Sequence, residues 1–287
     1  MSDDEFSSGK RLRRPRRGRA SKGDGIGVSS LQELITRIHD LPMKGQGWIY
    51  RGQPDCSHAL VPKAGRPPFI GKDDLSLFSE WRRKAVAYLP ALSSDEWEAL
   101  AIAQHHGLAT RLLDWTFKYS VATYFAVQSR SSTDGALYCY YPRCVDTGPR
   151  PALKDLASVW TYCPPMKASR IVSQEGVFTC HPNPAEPFDP GRGEFGVVRV
   201  VIPAKAKVRL LVDLDSLGIN EASLFPDLDG LSRHMNWKAS LERPSELSDP
   251  EFRSRLAAHL LLEGEESALR DDKIGRIVDI NRQMGGQ

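Results

Sequence analysis

The five cysteines, Cys56, Cys139, Cys144, Cys163 and Cys180, are scattered, and no two stand as Cys-x-x-Cys. Zinc-binding and dithiol redox spacings are therefore absent, and reduced thiols in a cytoplasm are the expectation. No apolar run approaches the ~20 residues that a membrane-spanning helix requires, so no membrane contact is expected. The N-terminus lacks the hydrophobic centre of a secretory signal. Its arginines are those of a transit peptide, but Asp3, Asp4 and Glu5 argue against that reading. The string Gly-x-x-x-x-Gly-Lys-Ser/Thr does not occur, which leaves a P-loop phosphate site without support. No internal repeat is visible.

What is present can build a core. Of 287 residues, 40% are hydrophobic and 26% charged, which is ordinary for a globular chain. The net charge of +3 is unevenly spread. Residues 1–24 hold eight basic side chains against four acids, a local +4, so the remainder sums to −1. Residues 1–27 are Arg, Gly, Ser and Pro with almost no apolar content. Such a segment cannot offset its ordering entropy, and it is expected to be a disordered basic tail. Two readings stand side by side: an arm that neutralises nucleic-acid phosphates, or a solvated tail without a partner.

Beyond the tail, periodicity predicts a series of elements. Ser29 and Ser30 cap a helix through Leu31, Leu34, Ile35 and Ile38, ended by Pro42 and the glycines at 45 and 47. A strand follows at 48–51, closed by Gly52, and then a Pro-rich loop over 53–72. A helix over 75–88 is expected next. Another is opened by a capping box between Ser93 and Glu96 and ended at Gly107. An extended approach at 109–115 leads into a helix at 119–128. Strands are expected at 137–141, 175–179 and 195–202, the last a nearly continuous buried run, with one more at 208–212. Residues 219–234 read as loop plus short helix. A C-terminal helical segment occupies 246–287, with a helix from Asp249. Helices lead and strands follow, which points to α+β: a single domain with N-terminal helices and a mixed or antiparallel sheet.

Several side chains carry chemical possibilities. An arginine at a strand end, pinned by Gly52, presents a rigid fork suited to phosphate or carboxylate. The alternative is a buried Arg51 paired with an internal carboxylate such as Asp114. Arg111, set among apolar neighbours three residues before Asp114, reads as an internal ion pair that fixes the strand–helix junction. Thr116 stands where strand gives way to helix. Its hydroxyl either caps the helix or faces a ligand at the helix N-terminus. His105 and His106 are adjacent on a helix end, so they point about 100° apart and only one can serve as a base in a given site. No third ligand accompanies them, and no metal is expected. Gln174 and Glu175 precede a glycine and a strand, and alternation lets only one face a site. The other has a solvent-exposed place.

Three stretches carry a resemblance: WIYRGQ at 48–53; AQHHGLATRLLDWT at 103–116, continuing to VATYFA at 121–126; and RIVSQEGVFT at 170–179. A fourth, GINEASLFPDLDG at 218–230, has the same character. Together they resemble the FRG-domain family, named for an aromatic-Arg-Gly motif that stands here as Tyr50, Arg51 and Gly52. The resemblance implies a domain over 28–245 in a cytoplasmic bacterial protein. The order of motifs is also similar to the arginine–serine–glutamate class of ADP-ribosyltransferases, which implies an ADP-ribosyltransferase-like fold with NAD as substrate. By that resemblance Arg51, with Tyr50, Gly52 and Asp114, grips the dinucleotide, and Thr116 lines the nicotinamide pocket. Gln174 or Glu175 takes the late position, with His105 as a further catalytic candidate. The implied activity is ADP-ribosyl transfer or NAD hydrolysis in a toxin or antiviral role. The departures are a Ser-Thr-Ser run replaced by Asp114, Trp115 and Thr116, and an acid that directly follows Gln174. A non-catalytic module that binds nucleic acid or protein through the basic tail is the competing expectation.

Overall fold

The computed structural model describes residues 27–41, 47–89, 91–129, 132–142, 149–165, 169–189 and 197–241. The chain divides into two compact units, Met1–Leu231 and Ser232–Gln287. Of the second, only residues 232–241 are described, and there His234 stacks on Trp237. The N-terminal tail, and the helix expected from Asp249, lie outside the described residues. In chain order the elements are α1 (Leu31–His39), β1 (Ile49–Gln53), α2 (Asp74–Ala85), α3 (Glu96–His105), β2 (Leu112–Thr116), α4 (Tyr119–Val127), β3 (Gly135–Tyr140), β4 (Trp160–Tyr162), α5 (Ser169–Gln174), β5 (Gly176–Cys180), β6 (Val197–Ile202), α6 (Lys207–Ser216), α7 (Glu221–Leu224) and α8 (Leu228–Ser240). This is an α+β fold, but β1 precedes α2 and α3, so helices and strands interleave.

Local chemistry explains the boundaries. The α1 start is doubly satisfied: Ser30 accepts from the Glu33 amide, and the Glu33 carboxylate reaches back to the Ser29 amide and hydroxyl. Asp73 caps α2 by accepting from the amides of Leu75 and Ser76. The capping box expected between Ser93 and Glu96 does not form. Asp95 is the N-cap of α3 and accepts from the Glu98 amide, because an aspartate two residues nearer the helix supplies the acceptor first. Gly107 does end α3. It adopts φ +89°, and the Leu108 and Gly107 amides return to the Ala103 and Gln104 carbonyls.

The six strands form one antiparallel sheet in the order β4-β5-β2-β1-β3-β6. On one face, Leu112, Phe178 and Cys180 pack with Phe78 of α2 and Trp97 and Leu100 of α3. Tyr50, Leu137 and Val200 pack with Leu34 and Ile38 of α1 and Ala122 of α4. Fully burying a leucine such as Leu34 stabilises by about 2 kcal/mol. The other face holds Ile49, Leu113, Trp115, Ala136 and Val177 under the chain around Leu60 and Phe188.

Two sequence expectations are corrected here. Residues 208–212 are not a strand but part of α6. The alternation of Val208, Leu210 and Val212 is overridden by Leu210, Leu211 and Leu214, whose spacing buries one side of a helix. Strand β6 is not buried throughout. It is an edge strand with Arg199 exposed and only Val200 and Ile202 fully covered. Strand β4 and helix α5 had no sequence signal. The four described cysteines, Cys56, Cys139, Cys163 and Cys180, are free thiols, and burial pushes Cys180 up to about 12.

Gly52 lets a helix approach the sheet closely. A Cβ there would stand 1.8 Å from the Ala122 carbonyl oxygen and 2.6 Å from the Ala126 amide nitrogen. Helix α4 thus lies backbone-on-backbone over β1, with alanines on its contact side. Gly52→Ala is expected to destabilise the protein by about 3 kcal/mol, since neither backbone can yield. Gly176→Ala, whose new methyl would meet Ile171 at an ordinary 3.9 Å, is expected to be tolerated. Thermal denaturation of the two variants beside wild type checks the pair.

Candidate functional site

The sheet opens between β1 and β2. These strands share one register pair, Tyr50 opposite Thr116, whereas β1 runs beside β3 along its whole length. Where β1 departs, two β2 carbonyls accept from side chains instead. Arg51 Nη1 donates to the Asp114 carbonyl at 2.7 Å, and Gln104 Nε2 donates to the Leu112 carbonyl at 3.4 Å. A cavity of about 380 Å³ lies at this divergence. Its polar wall is Arg51, Gln104, His105, Asp114, Thr116 and Gln174. Its apolar wall includes Val121, Phe125, Ile171, Phe178 and Phe225, with Phe125 and Phe225 edge to face at 6.2 Å between centroids. A few convergent polar groups over an apolar floor is the composition of a small-molecule site.

Two arginines differ in how far the protein satisfies them. Arg111 is buried and holds Asp74 bidentately, through Nε and Nη2, both at 2.8 Å. Its Nη1 reaches the Leu153 carbonyl. Burial alone would lower its pKa, but the hydrogen bonds and charge of Asp74 leave it raised. Arg111 is therefore the internal ion pair expected from the sequence, although its partner is Asp74 and not Asp114. Arg51 is 14% exposed in its side chain and faces only a loose ion pair, 3.7 Å from an Asp114 carboxylate that is itself 61% exposed. Burial lowers the Arg51 pKa, and the charge of Asp114 does not offset it. The Arg51 Nε is buried without an acceptor. Leaving a donor of a charged group unmatched costs about 1–3 kcal/mol. Arg51 thus contacts Asp114, while its Nε has no acceptor.

Asp114 is held by a short relay. The Thr110 hydroxyl donates to Gln104 Oε1, which fixes the amide so that its Nε2 donates to Asp114 Oδ1 at 2.8 Å. The Thr116 hydroxyl donates to the Gln174 carbonyl at 2.6 Å and accepts from the Lys118 amide at 3.0 Å. It lines the cavity while fastening the β2–α4 turn to the end of α5. It is not the N-cap of α4, which is Lys118 without a side-chain cap. Tyr50 packs edge to face on Tyr119, and burial raises its pKa to about 12.

Gln174 and Glu175 do not open a strand. Gln174 ends α5, Glu175 adopts φ +43°, and β5 begins at Gly176. Gln174 lines the cavity and its side chain donates to the Leu224 carbonyl at 3.0 Å. Glu175 is not among the lining residues and pairs with Lys118 at 2.7 Å. The structure therefore brings Tyr50, Arg51, Gly52, His105, Asp114, Thr116 and Gln174 to one cavity and leaves Glu175 outside its wall. His106 does not line it either, as the helical angle between the two histidines requires. Gln104, Phe125 and Phe225 line the cavity without having been picked out in the sequence as site residues. Gln104 sits next to His105 within the longest motif, which was the available signal.

Beneath the cavity runs a buried chain. Trp115 Nε1 donates to the Thr179 hydroxyl at 2.9 Å, and that hydroxyl is hydrogen-bonded to His181 Nε2, also at 2.9 Å. Burial, and then the charge of Arg51, push the His181 pKa down to about 4. A histidine held neutral in the folded state adds no pH dependence above its unfolded value near 6.5. Below it the unfolded chain binds a proton that the folded chain refuses, so stability falls until pH approaches 4. The drop expected from this group is roughly 3 kcal/mol. Chemical denaturation from pH 7 to pH 4 is expected to show that much less loss in His181→Gln than in wild type. Parallel curves would mean that His181 titrates normally.

Among the described residues no helix is long and apolar enough to cross a membrane, and no group of three or more His, Cys, Asp or Glu is placed to hold a metal ion. A Gly-x-Gly-x-x-Gly spacing does occur, at Gly191, Gly193 and Gly196, immediately before β6 in sequence, and it lies outside the described residues. Residues 46–135 match the family model of the FRG domain. That stretch contains β1, Gly52, the Gln104–Asp114 relay and α4. No curated protein and no solved structure matches the chain.

Proposed function

We propose that this chain, which carries an FRG domain, binds a nucleotide-like anionic ligand in the cavity between β1 and β2, with NAD as the first candidate. The observation that carries this reading is Arg51, a cavity-lining guanidinium whose Nε has no acceptor and whose pKa is lowered by burial. A perturbed charged group in a cleft is the signature of a site built for a partner, and a planar fork suits phosphate oxygens. The motif order that resembles ADP-ribosyltransferases is supported by Arg51, Thr116 and Gln174 lining one cavity. A volume of about 380 Å³ suits a small ligand, or one half of a dinucleotide.

Cleavage of the nicotinamide bond is a second reading, and it runs through Asp114. Departure of nicotinamide leaves an oxocarbenium-like centre, which a nearby carboxylate stabilises most where water is excluded. Glu175 is tied to Lys118, so Asp114 is the carboxylate at the cavity wall among the described residues. A toxin or antiviral role would follow from such an activity. The basic tail supplies a separate hypothesis, nucleic-acid binding, tested by comparing binding before and after removal of residues 1–27.

The test is thermal protection and nicotinamide release with purified protein and NAD. Wild type is expected to be protected by NAD, and Arg51→Lys, which keeps the charge but loses the fork, to bind at least about tenfold more weakly. Release that is abolished in Asp114→Asn would make the protein an enzyme. Protection without release would make it a binding module. Absence of both would end the NAD reading.

A further inference from the structure

The relay that ends at Asp114 has a purpose that the sheet alone does not require. Gln104 has one side-chain amide, and both its oxygen and its nitrogen are engaged. Its Oε1 accepts from Thr110, so its Nε2 has no freedom to turn away and must donate towards Leu112 and Asp114. Thr110 is held in turn by the Leu112 amide, which donates to its hydroxyl at 3.2 Å. An exposed surface aspartate needs no such arrangement. Yet Asp114 is exposed, lines the cavity, and has one carboxylate oxygen fixed by Gln104 and the other 3.7 Å from Arg51 Nη1.

The chemistry of the pair is complementary. An ionised carboxylate only accepts hydrogen bonds, and a guanidinium only donates them. Side by side at a cavity wall, they call for a ligand that offers hydroxyl donors close to an oxyanion. A ribose bearing a phosphate has that pattern, with hydroxyls set apart from the oxyanion, while a carboxylate supplies only half of it. We propose that Gln104, locked by Thr110, is a positioning residue that aims the Asp114 carboxylate at ligand hydroxyls, so that the cavity selects a ribose phosphate over its deoxy counterpart. This rests on the anion-binding reading of Arg51 and names the ligand class of that site.

Ribose 5-phosphate, 2-deoxyribose 5-phosphate and inorganic phosphate serve as probes, with affinities measured by calorimetry. Wild type is expected to prefer ribose 5-phosphate over the deoxy sugar by about tenfold, the worth of one hydrogen bond to a charged group. Asp114→Asn and Gln104→Leu are expected to lose that preference. Thr110→Val is expected to reduce it, and Thr110→Ser, which restores the hydroxyl, to recover it. The preference is a ratio within one folded variant, so a general loss of stability does not move it, and the Thr110 pair decides the matter if Gln104→Leu fails to fold. Phosphate binding by wild type with no hydroxyl preference, or a preference unchanged in Asp114→Asn or Gln104→Leu, overturns this inference and leaves the anion reading intact. No binding of any phosphate overturns both.

Discussion

Everything at the cavity depends on how closely α4 lies on β1. The absence of a side chain at Gly52 lets the backbone of Ala122 and Ala126 occupy the space where a Cβ would be. Gly135 repeats the device on β3, where a Cβ would stand 2.6 Å from the Ala126 carbonyl oxygen. Two glycines on neighbouring strands and two alanines on the helix thus bring three backbones together. Helices usually pack on sheets through a full layer of side chains, near 10 Å. Removing that layer fixes α4, and with it the Val121 and Phe125 side chains that floor the cavity. The residue before Gly52 inherits a defined position. Arg51 reaches the Asp114 carbonyl because its strand is pinned one residue further on.

The divergence of β1 from β2 creates backbone groups that must find partners. The protein supplies them with long polar side chains, Arg51 and Gln104, in place of a strand. These are the same side chains that face the cavity, so the repair of the sheet and the construction of the site are one event. Arg111 shows what a wholly structural arginine looks like in this molecule: bidentate, buried, and raised in pKa by its carboxylate. Arg51 is also largely buried, but it has no bidentate partner and its pKa is lowered. Their difference rests on the observed partners and not on sequence position.

The sequence made the framework legible where the signal was local. Strands β1, β3 and β5 and helices α1, α2 and α4 follow from periodicity, caps and glycines within a few residues. It failed where the deciding partner is distant. Asp74, 37 positions before Arg111, was invisible as its counter-ion, so Asp114 was offered instead. Strand β4 is three residues long and is recognised only by its pairing with β5. Of the site, Arg51, Asp114, Thr116 and His105 came from motif residues whose types already suggested chemistry. Gln104 did not, because an amide has no charge or reactivity to draw attention. Its importance comes from the orientation that Thr110 imposes.

The pair at 174 and 175 shows why reading alternation into a junction is unsafe. A helix that ends without partners leaves its last carbonyls unsatisfied. Here α5 ends at Gln174, and the Thr116 hydroxyl and Phe117 amide supply those partners by donating to the Gln174 and Glu175 carbonyls. The chain then turns through Glu175 in the left-handed region, a conformation that costs a non-glycine residue about 1 kcal/mol or more. That turn separates the two side chains: Gln174 stays at the cavity, while Glu175 meets Lys118 at the foot of α4. The contacts that distinguish the two residues come from β2 and the start of α4, nearly sixty positions earlier. A polar residue at the cavity and an acid beside it in sequence are therefore not interchangeable candidates. The strand that precedes α4 helps decide which of them faces the cavity.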